Sequence, residues 1–377
     1  MRSSVKLGTV FGVPIGLNFS WFVTFAFVIL ILALRVYPDI FPDSSASLYW
    51  LMAVVSGVLF FASILTHEMA HSLIAKAYGI PVKGITLFIF GGVSQITREA
   101  ARPLSEFIMA FAGPATSVLL AGVFGFGWWL TGGAEDKPLA VMLEWLWLMN
   151  LFLGAFNMAP GFPMDGGRIL RSILWAVTGN YRQSTHWASR IGQLMAYTLM
   201  AAGFAGIIRL IPFLDPLGSL WLIVLGMFLD GAARQSWRQV RALEFLQGFH
   251  ARDIMVTDPP MSEASASVAE VLASNPAAAS AGCVLVVQDQ RVVGIIQVDA
   301  LRALNRSRWY TANAGELMTP TSRVRVVGPD EDAGSILQSL DADGLSCLPV
   351  VEGGRLLGIV TREDLARLLV GHHDLTA

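Results

Sequence analysis

The chain carries a succession of apolar stretches, most about as long as a lipid bilayer is thick. A spanning helix needs about 20 mostly apolar residues. Hydrocarbon offers no water to satisfy backbone N–H and C=O groups, so such stretches cross as helices or closed barrels. Six candidate spans are legible: Leu17–Tyr37, Trp50–Tyr78, Phe107–Leu130, Leu139–Met158, Trp187–Leu210 and a shorter Leu217–Asp230. Composition agrees: 54% of the 377 residues are hydrophobic and only 14% charged, against about a quarter charged in an ordinary soluble domain. The first run lacks a small-residue cleavage site and reads as an anchor, not a signal peptide.

Short cytoplasmic loops are enriched in Lys and Arg. Arg2 and Lys6 precede the first span. Lys76, Lys83, Arg98 and Arg102 follow the second, Arg168, Arg171, Arg182 and Arg190 follow the fourth, and Arg234, Arg238 and Arg241 follow the sixth. The alternate loops carry Asp39 and Asp43, then Glu135, Asp136 and Lys137, then Asp215. Every second loop is basic, which predicts a multi-pass cell-membrane protein with both termini cytoplasmic. No basic block suggests a nucleic-acid partner.

The second span contains His67-Glu68-Met69-Ala70-His71. Residues four apart share one helix face, so the two imidazoles can hold one cation. Zinc favours nitrogen ligands, and a catalytic site uses three protein ligands plus water. Glu68 is the expected general base of such a motif. Ionisable residues inside a span are costly and mark function.

Two histidines leave the site one ligand short. His186, His250, His372 and His373 fall in loops, a linker or the tail. Glu144 lies near the opposite end of its span, on the order of 20 Å away in depth at 1.5 Å per residue. Asp165 follows the inner end of the fourth span, after a stretch rich in Pro and Gly, Asn157-Met158-Ala159-Pro160-Gly161-Phe162-Pro163-Met164. Its depth suits a ligand. A helix cap for the following segment is the other reading, and one carboxylate can serve both.

The two motifs together resemble the site-2 protease family of intramembrane zinc metalloproteases, in the branch with six spans and a C-terminal pair of cystathionine-β-synthase (CBS) modules. The resemblance implies His67, His71 and Asp165 as ligands of one zinc per chain, Glu68 as catalytic base and Asn157 as a substrate-orienting residue. It implies a membrane-protein substrate, such as an anti-sigma factor or a transcription-factor precursor. Gly79–Thr97 reads as a small cytoplasmic β-hairpin, either structural or offering an edge strand to an unwound substrate. Ala112-Gly113-Pro114-Ala115-Thr116-Ser117 reads as a small-residue packing surface.

The C-terminal third contains an internal repeat. Cys283-Val284-Leu285-Val286-Val287 and Gly294-Ile295-Ile296 recur 64 residues later as Cys347-Leu348-Pro349-Val350-Val351 and Gly358-Ile359-Val360. The pattern resembles a tandem α/β CBS pair, which implies a regulatory module, homodimerisation and an adenine-nucleotide ligand. By that resemblance Thr361 and Asp364 are nucleotide contacts in the second unit. Gln297 and Ala300 stand at the matching positions of the first, so one site per chain is expected. The two cysteines read as small core residues, not redox partners.

The expected organisation is a polytopic α-helical membrane domain over 1–249, a first CBS unit over 250–311 and a second over 312–377. The expected activity is hydrolysis of peptide bonds in or near membrane spans, modulated by the CBS pair. A CBS-gated channel or transporter is the competing class, but it has no need of paired histidines and an acid at matched depth. An inactive scaffold is a third reading, against which the intact Glu68 argues.

Overall fold

The computed structural model describes residues 5–89, 91–133, 136–212, 214–275, 281–289 and 291–376, with side chains as far as 369. Arg2, Glu135 and the side chains of His372 and His373 lie outside the described residues. The chain divides into two compact units, 1–238 and 239–377.

The first unit opens with two strands, β1 (Val5–Val10) and β2 (Val13–Leu17), before helix α1 (Phe19–Ile40). Helix α2 (Ala46–Ala77) leads into strands β3 (Val82–Phe88) and β4 (Gly91–Ile96). Helices α3 (Pro103–Leu130), α4 (Pro138–Asn157), α5 (Asp165–Thr178), α6 (Tyr181–Ile207) and α7 (Pro216–Leu246) follow. Five of these, α1, α2, α3, α4 and α7, are long and apolar enough to cross a membrane. The expected span Trp187–Leu210 falls mostly in α6, which is not among them. Its first half carries Arg182, His186 and Arg190, and its second half is rich in Ala and Gly.

The expected hairpin is present as β3 and β4, but it is half of a larger sheet ordered β1-β2-β3-β4. The β2–β3 pairing is parallel and matches Ile15 to Ile85 and Leu17 to Leu87. Alternate residues of these strands therefore share a face. Val13, Ile15, Leu17, Ile85 and Leu87 are buried with Phe61, Ile64 and Met69 of α2, which fixes the sheet against the helix bearing the His-Glu motif. The Asn18 amide donates to the Leu87 carbonyl at 2.8 Å, tying the entry of α1 to β3.

In the second unit, strands β5 (Met261–Glu263), β6 (Cys283–Gln288), β7 (Arg291–Gln297) and β8 (Thr319–Pro320) form one sheet, and β9 (Cys347–Glu352) with β10 (Arg355–Thr361) another. Helices α8 (Val268–Ser274), α9 (Val298–Ala303), α10 (Ala333–Asp343) and α11 (Arg362–Thr376) complete the repeat. Cys283 and Cys347 are joined by a disulfide, with Cα atoms 6.3 Å apart. This corrects the reading of two unlinked core thiols. Equivalence under the repeat was the informative fact, because the first strands of the two hairpins share one core and bring matching positions together.

Candidate metal centre

Helix α2 buries one stripe, in which Ser56, Ser63, His67, His71 and Ser72 recur at helical spacing. His67 and His71 are each 3% exposed. Their Nε2 atoms stand 3.2 Å apart, and each lies 3.1 Å from the Asp165 Oδ2. Three ligands around a tetrahedral zinc at about 2.0 Å sit roughly 3.3 Å from one another. The donor atoms already have that spacing, and this chemistry of two imidazoles and a carboxylate suits zinc. Among the described residues this is the one such group of His, Cys, Asp and Glu. Glu144 and His186 are not part of it.

Asp165 begins α5, whose cap residue is Met164 with no side-chain capping bond. The carboxylate is therefore not acting as a cap, and its Oδ2 faces the imidazoles. Burial alone would raise the Asp165 carboxyl. When the imidazoles carry protons on Nε2, the His71 charge and hydrogen bonds from His67 and His71 outweigh that and hold it well below the usual carboxylate range. The preceding turn is pressed onto neighbouring backbone. A Cβ at Gly192 of α6 would meet the Phe162 carbonyl oxygen at 1.9 Å, and one at Gly166 the Met158 oxygen at 2.2 Å.

Helix α3 supplies what sequence reasoning took for packing alone. The His71 Nδ1–H donates to the Met109 carbonyl at 2.7 Å, which leaves Nε2 as a free lone pair. His67 Nδ1 is 2.8 Å from the Ser117 hydroxyl. Between them stands Gly113, where a Cβ would fall 2.2 Å from His71 Nε2 and 2.5 Å from His67 Nε2. Such outer contacts fix ring orientation and tautomer in metal sites. A cradle that admits no side chain at Gly113 is a physical reason to read this space as a ligand's.

Glu68, half-buried on the same helix, accepts a hydrogen bond from Ser94 of β4 at 2.8 Å through Oε2, and its backbone carbonyl accepts from the same hydroxyl at 3.0 Å. Gly92 of β4 lies so close that a Cβ there would stand 2.5 Å from the Glu68 Cγ. The sheet edge thus touches the expected base. Asn157, at the end of α4, donates its amide to Leu153 of its own helix at 3.0 Å.

Thr361 and Asp364 are in contact. The Thr361 hydroxyl donates to the Asp364 carboxylate at 2.5 Å and accepts from the Asp364 amide at 3.1 Å. This pair closes the start of α11. At the matching place in the first repeat, Gln297 caps α9 with no side-chain bond.

Comparison with known proteins agrees with this geometry. The family model "Peptidase family M50" matches residues 56–135 and 129–200, and the model "CBS domain" matches 314–371. The chain is 31% identical to a Synechocystis protein, sll0528, bearing the name zinc metalloprotease, over 98% of this chain and 96% of that one. It is 30% identical to Rip3 of Mycobacterium tuberculosis over 98% and 93%. It is 29% identical to the zinc metalloprotease MJ0392 of Methanocaldococcus jannaschii over 98% and 97%. A solved site-2 protease from M. jannaschii aligns with a TM-score of 0.44 at 30% identity, covering 62% of this chain and 94% of that one. The chain belongs to the M50, or site-2 protease, family of membrane zinc metalloproteases and carries a CBS domain at its C-terminal end.

Proposed function

We propose that the protein hydrolyses peptide bonds within or beside membrane spans of other membrane proteins, with His67, His71 and Asp165 holding one zinc and Glu68 as the base. The observation that carries this is the convergence of the two Nε2 atoms and Asp165 Oδ2 to 3.1–3.2 Å, one residue from Glu68. A bound zinc would polarise the scissile carbonyl and acidify the attacking water. Glu68 takes the proton from that water and passes it to the leaving amine. The Met109 carbonyl holds His71 in the tautomer that leaves Nε2 open, and Ser117 holds the orientation of the His67 ring. Asn157 orients the substrate once its intrahelical bond is exchanged.

A helical substrate shields its own carbonyls, so it must unwind before attack. Strand β4 is a sheet edge that already touches Glu68, and an extended substrate segment added there reaches the base. With α6 making a sixth crossing beside the five long apolar helices, the alternation of basic loops supports a cytoplasmic placement of both termini and of the CBS pair. The Thr361–Asp364 pair supports one adenine-nucleotide site in the second CBS unit, and the pair of units is a dimerisation surface. Such a module tunes cleavage only where the enzyme's conformations differ in nucleotide affinity. Substrates of this kind include anti-sigma factors and transcription-factor precursors. The test is joint metal analysis and cleavage of a model membrane substrate: His67→Ala should lose both zinc and cleavage, and normal zinc in that variant would sink the reading.

A further inference from the structure

Asp165 reaches the imidazoles from a helix with no capping bond of its own at its first residue. Close backbone packing holds its first turn, and one buried side chain adds a second tie further along. Arg171, about 9 Å further along α5 at 1.5 Å per residue, is 5% exposed. Its Nε donates to Glu106 Oε1 at 2.7 Å and its Nη2 to the same oxygen. Its guanidinium also lies 5.0 Å from the Phe162 ring centroid and 4.7 Å from that of Tyr181. One side chain therefore ties α5 to α3, to the turn before α5 and to the first residue of α6.

Glu106 belongs to a single stripe of α3. Glu106, Met109, Gly113 and Ser117 recur at steps of three and four, which places them on one helix face. Met109 and Ser117 hold the two imidazoles directly, and Glu106 holds the helix of the third ligand through Arg171. Stability is a poor explanation for this pair, because replacing a buried ion pair by well-packed apolar residues is often neutral or stabilising. Glu106 Oε2 is buried with no hydrogen-bond partner among the described residues, a cost that needs another return.

We infer that the Glu106–Arg171 pair is a positioning device for the metal centre: it sets Asp165 against His67 and His71, so that α3 registers all three zinc ligands. The inference rests on the reading of those residues as a zinc site. Arg171 and Glu106 are positioning residues, whose recorded contacts are with each other, Glu99 and the Phe162 and Tyr181 rings, not with the ligand atoms.

The test is zinc affinity of the purified full-length protein, read by competition with a chromophoric chelator. Arg171→Met and Glu106→Gln should each weaken zinc binding by about 10- to 100-fold, the range for loss of a contact that orients a ligand. The double variant should be no weaker than the worse single variant, since both act through one link. Arg171→Lys should fall between wild type and Arg171→Met. Tyr37→Phe, which loses a buried 2.7 Å hydrogen bond to Ser56 far from α5 in sequence, should bind zinc as wild type does. Wild-type affinity in Arg171→Met, or equal weakening by Tyr37→Phe, would overturn the inference. If Arg171→Met fails to fold, wild-type affinity in both Glu106→Gln and Arg171→Lys overturns it equally. Retention of zinc by His67→Ala would instead overturn the zinc site itself, so the two failures are separable.

Discussion

Gly113 stands so near His71 that a single methyl group at its Cα would lie 2.2 Å from the imidazole Nε2. The backbone of α3 is thus one wall of the proposed metal centre, and the absence of a side chain there leaves room for it. Gly113→Ala should displace the imidazoles, which can rotate away without moving backbone. Zinc binding should fall by at least about tenfold while thermal stability changes little. Gly192→Ala should do the reverse in emphasis, because its Cβ would meet the Phe162 carbonyl, which cannot swing aside. Parallel melting curves and metal analysis separate the two effects. Zinc content unchanged in a folded Gly113→Ala protein would contradict the geometry.

Ser117→Ala removes the partner of His67 Nδ1 but neither ligand nor backbone. The ring then loses the contact that orients it, and zinc affinity should drop roughly 10-fold or more. Ser117→Thr keeps the hydroxyl and should retain more zinc than Ser117→Ala. Chelator competition on the three proteins reads the order directly, and equal affinity in all three would remove Ser117 from the account.

Asp165→Ala should lose most of the metal, and Glu144→Ala should keep it. Asp165 Oδ2 is 3.1 Å from both imidazoles, whereas Glu144 is no part of the cluster. Normal zinc in Asp165→Ala would leave that carboxylate with no ligand role.

The nucleotide prediction concerns Asp364. If one adenine nucleotide binds per chain, Asp364→Ala should lose it, because the carboxylate paired to Thr361 is the polar anchor available there and Gln297 offers no equivalent. Calorimetry with ATP and AMP on the full-length protein checks this. No heat with either nucleotide, or equal binding by the variant, would reduce the module to dimerisation or docking.

The proposed site was legible where it lies in consecutive residues. His67, Glu68 and His71 declare themselves by spacing inside an apolar run, and Asp165 by its depth after a helix-breaking stretch. What was not legible joins residues far apart in the chain. Residues 5–17 pair with the expected hairpin through the parallel β2–β3 contact, and strands of six and five residues ahead of an apolar run give little periodic signal. Gly113 and Ser117 look like ordinary small packing residues, since a glycine's value lies in what stands beside it, here side chains more than forty positions earlier. Arg171 reads from sequence as one loop cation among four, yet it is buried against Glu106, 65 residues away. The 64-residue repeat places the two cysteines at equivalent strand positions, but from sequence they read as unlinked core thiols, because the bond between them depends on how the two sheets pack.

The central claim is that a metal held by His67, His71 and Asp165 works with Glu68 to hydrolyse a peptide bond. Glu68→Gln removes the base and spares every metal ligand, and a neutral amide cannot accept the proton from the attacking water. The direct measurement is turnover of a model membrane substrate by purified Glu68→Gln protein, with zinc content determined on the same sample. The account predicts about one zinc per chain and no cleavage above background. Near-normal turnover, with contaminating protease excluded, would contradict it.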